Sequence, residues 1–327
     1  MTRKLTIKQE SWPIAGTFTI SRGSKTAADV VVVEIEEDGK TGRGECVPYA
    51  RYKESIGLVM EMIEKLRGAV EGGLGRPRLR NIQGPGAARN AIDCALWDLE
   101  AKLTGKPAWE IAAIDRPKDV TTAYTLSLDT PQKMAEAAKA NAGRPLLKLK
   151  LAGPDDFDRV KAVHQAAPGA KLIVDANEGW SLADYRALSP KLKDLGVVLI
   201  EQPLPADQDL ALLEVEPSVP VCADESCHDL TTIRTLKGRY QVVNIKLDKS
   251  GGLTEALAMV TEAKRLDFQI MVGCMVGTSL AMAPAFLVAQ QAQFVDLDGP
   301  LLLAKDRPDG FAFDGSVMHP NGPALWG

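Results

Sequence analysis

Five short apolar runs in the middle of the chain each close on a charged residue: Leu146-Leu147-Lys148-Leu149-Lys150, Leu172-Ile173-Val174-Asp175, Val198-Leu199-Ile200-Glu201, Val221-Cys222-Ala223-Asp224 and Val243-Asn244-Ile245-Lys246. From Lys150 the closing residues follow at steps of 25, 26, 23 and 22. A strand, a helix and two loops fill such a step. Residues 121–126, 270–273 and 294–296 extend the ladder to eight strands. Helix start signals stand between them, at Pro154-Asp155-Asp156, Ser181, Asp229 and Gly252, ahead of helical patterns over 157–166, 182–195, 230–236 and 253–266. Nearly all-apolar strands alternating with helices predict a parallel (β/α) barrel whose strand ends open together on one face, where chemistry gathers.

The first third is patterned differently. Residues 5–10, 18–21 and 30–36 read as strands, and Asp38-Gly39 after the last predicts a hairpin. Helices follow over about 54–70 and 87–103, the second with Ile92, Ala95, Leu96, Leu99 and Leu103 on one face and Gly105 and Pro107 beyond its end. A Gly/Pro-rich stretch, 72–86, joins them. This predicts a separate α+β domain ahead of the barrel.

Composition leaves that picture intact and narrows the partners. The 327 residues exceed what one barrel needs, and 45% hydrophobic with 25% charged residues is ordinary for a globular protein. A net charge of −4 gives no reason to expect nucleic acid or an anionic membrane as partner. No apolar run approaches the ~20 residues of a membrane span, and residues 1–8 lack the apolar core of a signal peptide, so a cytoplasmic location is expected. The cysteines, Cys46, Cys94, Cys222, Cys227 and Cys274, are odd in number and scattered, which favours free thiols. His164, His228 and His319 have no zinc-site spacing.

Chemistry enters at the strand ends. Singly, an acidic residue there is a helix cap or half of a salt bridge. Asp175, Glu201 and Asp224 on three consecutive strands converge, however, and their repulsion is costly unless a cation sits between them. Oxygen-only ligands favour Mg²⁺, with Mn²⁺ as second choice. Lys148 and Lys150 project to one side of strand two, and Lys246 on strand six faces them across an eight-strand ring. A molecule held at the metal thus has an amine on each face. That suits removal of a proton beside a carboxylate, with one lysine as base and the other returning a proton from the opposite side; Lys148 is expected to lower the charged fraction of Lys150 by repulsion.

These residues, with Asp175-Ala176-Asn177, Glu201-Gln202-Pro203, Asp224-Glu225-Ser226 and Lys246 ahead of Ser250-Gly251-Gly252, resemble the enolase superfamily in its muconate lactonizing subgroup. The resemblance covers essentially the whole chain. It implies a modified barrel, (β/α)7β, over 119–299, and a capping domain over 1–118 completed by 300–327. Asp296-Leu297-Asp298 on strand eight resembles the dipeptide epimerases and implies a clamp for a substrate ammonium group. The stretches Ala88-Arg89-Asn90-Ala91 to Leu99, Val243 to Lys249 and Gly44-Glu45-Cys46 to Tyr49 bring the resemblance nearest to L-Ala-D/L-Glu epimerases, isomerases acting on a dipeptide from cell-wall peptide. It implies a cation from a mobile cap loop for the glutamate side chain, here Arg22 or Lys25. Asn177 and Glu225, each beside or near a ligand, are expected to support the metal site. A cycloisomerase or an o-succinylbenzoate synthase-like lyase would use the same lysines and metal without needing Asp296 and Asp298. A noncatalytic metal-binding barrel would leave both lysine walls without a role.

Overall fold

The computed structural model describes residues 3–153 and 155–327. Met1 and Thr2, part of the leader reading, and Pro154, part of one helix start signal, lie outside the described residues.

Eight parallel strands form one sheet in chain order: Tyr124–Leu126, Leu146–Lys150, Lys171–Asp175, Val197–Glu201, Val221–Ala223, Val242–Ile245, Gln269–Gly273 and Phe294–Asp296. We number them barrel strands one to eight. The Ala123 N–H donates to the Val295 carbonyl at 2.8 Å and brings the first strand back to the eighth. The run 121–126 is therefore not one strand. Val120–Thr121 pairs with Val317–Met318 near the C-terminus, and Thr122, buried between, accepts from Leu297 N–H before the barrel strand begins.

Inside the barrel, Ala123, Ile173, Leu199, Cys222, Val242 and Met271 form a small apolar plug, edged by Leu146 and Phe294. Side chains alternate in a strand, so the inward position recurs two residues on. On the eight strands those next positions are Thr125, Lys148, Asp175, Glu201, Asp224, Asn244, Gly273 and Asp296. An apolar floor is thereby followed directly by a buried polar layer at the strands' C-terminal ends.

The cap is a three-stranded antiparallel sheet, Lys4–Ile20, Gly23–Glu37 and Lys40–Cys46, with helices on one side. The two predicted strands 5–10 and 18–21 are one bent strand, whose register slips between Pro13 and Phe18. The expected helix over 54–70 breaks at Leu66 into Ile56–Lys65 and Arg67–Glu71. The long helix Ala87–Thr104 ends, as expected, at Gly105 in the left-handed region. It is not one-sided: Leu103 is exposed, while Arg89, Asn90, Asp93 and Asp98 are buried, because the helix is sandwiched between the cap sheet and the barrel. Gly42 and Gly44 let it lie directly on the sheet; a Cβ at either would stand within 2.2 Å of the helix backbone.

The C-terminal segment returns to this helix. Trp326 Nε1 donates to the Cys94 carbonyl at 3.0 Å, and Gly327 N–H to Asp98 Oδ1 at 2.7 Å. No helix among the described residues is long and apolar enough to cross a membrane.

Candidate active site

The polar layer carries most of the chemistry predicted from sequence. Asp175 and Glu201 are fully buried and are register partners on strands three and four; Asp224 follows strand five at 3% exposure. Lys148 and Lys150 rise from strand two, 1% and 7% exposed, and Lys246 follows strand six.

Each carboxylate is turned to an ammonium group. Lys150 Nζ donates to Asp175 Oδ2 at 2.6 Å, and Lys246 Nζ to Asp224 Oδ2 at 2.8 Å. Lys148 Nζ lies 2.6 Å from Glu201 Oε2 and 3.4 Å from Asp175 Oδ2, and donates to Asp296 Oδ2 at 2.7 Å. Among the described residues, no three His, Cys, Asp or Glu side chains are gathered as a formed metal site. Lysines from strands two and six also face the three acids. A metal still fits the donor set. It is all oxygen, and Glu201 Oε2, buried, accepts no hydrogen bond even from the nearby Lys148.

Burial and charge pull these groups apart. Burial pushes the Asp175 carboxyl up, but Lys150 and Lys148 outweigh it and hold it down to about 2. Asp224 lies well below the usual carboxylate range because Lys246 and Lys249 outweigh burial. Glu201, pushed by burial and then by Asp175, rises to about 7. Burial disfavours the charged forms of Lys246 and Lys148, yet Asp224 for the first and Asp296 for the second carry both above the usual lysine value. At these two lysines the carboxylate partners outweigh burial.

Several supporting residues were not singled out from sequence. Asn244 Nδ2 donates to Glu201 Oε1 at 2.8 Å, and Lys249, buried, donates to Asp224 Oδ1 at 2.5 Å. Both follow from period two on strand six and the turn after it, but their partners lie on other strands. Gly273 keeps room for this arrangement: a Cβ there would stand 2.7 Å from Asn244 Oδ1 and 3.0 Å from Lys246 Cε.

Asn177 acts through its backbone, whose N–H donates to Asp175 Oδ1 at 2.9 Å. Glu225 lies beside Asp224 in the chain and is tied to the cap. It accepts from Arg22 Nη2 at 2.8 Å, and burial with repulsion from Asp224 raises it to about 7. Arg22 is on a hairpin tip rather than a loose loop, since Ile20 pairs with Gly23 across it. Its guanidinium also donates to the Asn177 carbonyl at 3.0 Å and the Tyr49 hydroxyl at 3.1 Å. It is a strut between cap and barrel. Lys25, exposed on the same hairpin, holds Nζ 5.8 Å from the Tyr49 ring centroid.

Asp298 Oδ2 accepts from Thr125 N–H at 2.6 Å; burial and Asp296 raise it to about 7. One cavity of about 280 Å³ beneath the cap is lined by Lys150, Lys246, Asp224, Asp296 and Asp298 together with Arg22 and Lys25 from the hairpin. These seven residues share one pocket under the cap, whereas Asp175, Glu201 and Lys148 are not part of its lining.

The model of the mandelate racemase/muconate lactonizing enzyme N-terminal domain matches residues 2–112, and that of the enolase C-terminal domain-like family matches 132–323. The chain belongs to the enolase superfamily, in its mandelate racemase and muconate lactonizing branch. Within that superfamily it is 47% identical over 319 residues to the L-Ala-D/L-Glu epimerase of Escherichia coli K12, covering 97% of this chain and 99% of that one. It is 48% identical over 300 residues to the N-acetyl-D-glutamate racemase of a Pseudoalteromonas species, covering 91% and 95%. A solved superfamily member from Agrobacterium tumefaciens, with homology to dipeptide epimerases and with bound sodium and L-Ala-L-Glu, superposes with a TM-score of 0.98 at 53% identity over 99% of this chain and 100% of that one. The dipeptide epimerase of Enterococcus faecalis V583, complexed with Mg and L-Leu-L-Tyr, superposes with a TM-score of 0.91 at 30% identity over 98% and 97%.

Proposed function

We propose that this chain is a Mg²⁺-dependent dipeptide epimerase that moves the α-proton of a dipeptide's C-terminal residue, with L-Ala-D/L-Glu as its substrate. The observation that carries this reading is the single cavity in which Lys150 and Lys246, from strands four apart, meet Asp296 and Asp298. Asp175, Glu201 and Asp224 are the residues that would hold Mg²⁺, or Mn²⁺ as second choice. Bound there, the cation supplies positive charge to the substrate carboxylate while the adjacent carbon loses its proton. Lys150, in its neutral form, takes the proton from one face. Lys246, kept charged by Asp224, delivers one from the other. The orphaned Asp296 Oδ1 and the neighbouring Asp298 receive the substrate's ammonium group. Arg22 and Lys25 are the cations within reach of a glutamate side chain at the hairpin. Asn177 and Glu225 support the metal-binding carboxylate and the Arg22 strut respectively.

The same reading takes 1–118 with 300–327 as the cap, 119–299 as the barrel, and the cytoplasm as the location. Cycloisomerase or lyase chemistry would bring no substrate ammonium group to the unpaired Asp296 Oδ1 at the end of strand eight or to Asp298 just beyond it. Racemisation of an N-acylated glutamate is a second reading, favoured by the similarity to the N-acetyl-D-glutamate racemase. Incubation with Mg²⁺ in heavy water separates the two. Deuterium at the glutamate α-carbon of L-Ala-L-Glu, with the second epimer appearing, supports the dipeptide reading; exchange confined to N-acetyl-L-glutamate supports the other and overturns it.

A further inference from the structure

The Asp296 carboxylate faces two ways. Its Oδ2 accepts from Lys148 Nζ at 2.7 Å, while Oδ1 is buried and accepts no hydrogen bond. Lys148 is 1% exposed and touches three carboxylates: Asp296, Glu201 at 2.6 Å and Asp175 at 3.4 Å. Of these contacts, only the one to Asp296 has the direction of a hydrogen bond. One ammonium group is therefore shared between strand eight and two of the proposed metal ligands.

We propose that Asp296 is a positioning residue for Lys148, sharing its ammonium through Oδ2 so that the charge does not settle wholly on the oxygens of Glu201 and Asp175 that a cation would use. The inference rests on the reading that these carboxylates hold Mg²⁺. An ammonium group and a divalent cation compete for the same oxygens and repel each other at short range. Buried at 1% exposure, Lys148 has no route to water when one partner is lost. With Asp296 neutralised, the charge attracting Lys148 toward strand eight is gone, and the ammonium, already 2.6 Å from Glu201 Oε2, is left to Glu201 and Asp175 alone. The division within Asp296 is by oxygen: Oδ2 serves the protein's own lysine and Oδ1 the substrate. A residue that only clamps the substrate's ammonium would leave metal binding in the empty enzyme unchanged.

Calorimetric titration of Mg²⁺ into the substrate-free protein tests this, in wild type, Asp296→Asn, Lys148→Met and the double variant, each checked for native folding by circular dichroism. Asp296→Asn is expected to raise the Mg²⁺ dissociation constant at least tenfold. Lys148→Met, which removes the competitor, is expected to lower it. In the Lys148→Met background, Asp296→Asn is expected to change it by less than about threefold, because the effect travels through the lysine. An unchanged dissociation constant in Asp296→Asn overturns the proposal, as does an equal loss with and without Lys148. If Asp296→Asn does not fold, Lys148→Met decides alone, and weaker Mg²⁺ binding there overturns it. Wild type that takes up no Mg²⁺ sinks the metal reading itself and the inference with it.

Discussion

Lys148 shows what a single residue's neighbours decide. Its inward direction follows from its place two residues before Lys150, but its partner Asp296 is 148 positions away in sequence. Period two fixes the layer; which carboxylate faces which ammonium depends on where strands two and eight meet around the ring. The same is true of Arg22, whose type suits a substrate carboxylate and whose position makes it a strut to Glu225 and Asn177. Gly273 carries a prediction at this scale. Gly273→Ala puts a methyl group against Asn244 and Lys246 and should cost roughly 1–3 kcal/mol through overpacking. Because Asn244 orients Glu201, activity should fall further than stability does. Chemical unfolding beside initial rates checks both; an unchanged rate would show that the space above Gly273 is unused.

At the scale of elements, the cap is fastened to the barrel by side chains that finish another element's hydrogen bonding. The barrel helix Leu253–Arg265 begins at Gly252, which has no side chain to cap it. Asp93 of the cap's long helix does so instead, accepting from Thr254 N–H at 2.9 Å and Thr254 Oγ1 at 2.6 Å. Glu45 fastens the next helix differently: Ser279–Ala289 is capped by its own Thr278 side chain, and Glu45 accepts from Thr278 N–H at 2.8 Å and pairs with Arg307. Asp93→Ala should cost about 1 kcal/mol, as the loss of a cap does, and loosen the cap. Thermal unfolding and protease sensitivity of residues 1–118 measure the two effects, and an unchanged melting temperature would contradict the capping role. Sequence patterning located the cap's long helix, the helix after Gly252 and Gly252 itself, since helix periods are local, but not Ser279–Ala289. It could not locate these contacts, which join residues about 160 or more positions apart.

For the molecule as a whole, the buried cap–barrel interface ties stability to pH. Burial raises Asp93 to about 6 and Asp248 to about 7. In the unfolded chain both titrate near the ordinary aspartate value of about 3.9. Between those values the folded protein binds more protons, so the stability these groups contribute is complete below about pH 4 and is lost as pH rises through 6 to 7. Urea midpoints should therefore fall between pH 5 and 7.5. Asp248→Asn should flatten that fall, since the amide oxygen still accepts from Val47 N–H and Asn90 Nδ2 without a charge to bury. An identical slope in the variant would assign the pH dependence elsewhere.

The division of labour between two lysines on opposite walls is the centre of this reading, and a stereochemical experiment reaches it most directly. In heavy water with Mg²⁺, Lys150→Met and Lys246→Met are each incubated with L-Ala-L-Glu and, separately, with L-Ala-D-Glu. Each variant should lose epimerisation by roughly 10²–10⁴-fold, the usual worth of a general acid or base. Each should still exchange the α-proton of one epimer, and the two variants should differ in which one. Epimerisation at the wild-type rate in either variant, or exchange of the same epimer by both, would contradict two bases acting on opposite faces.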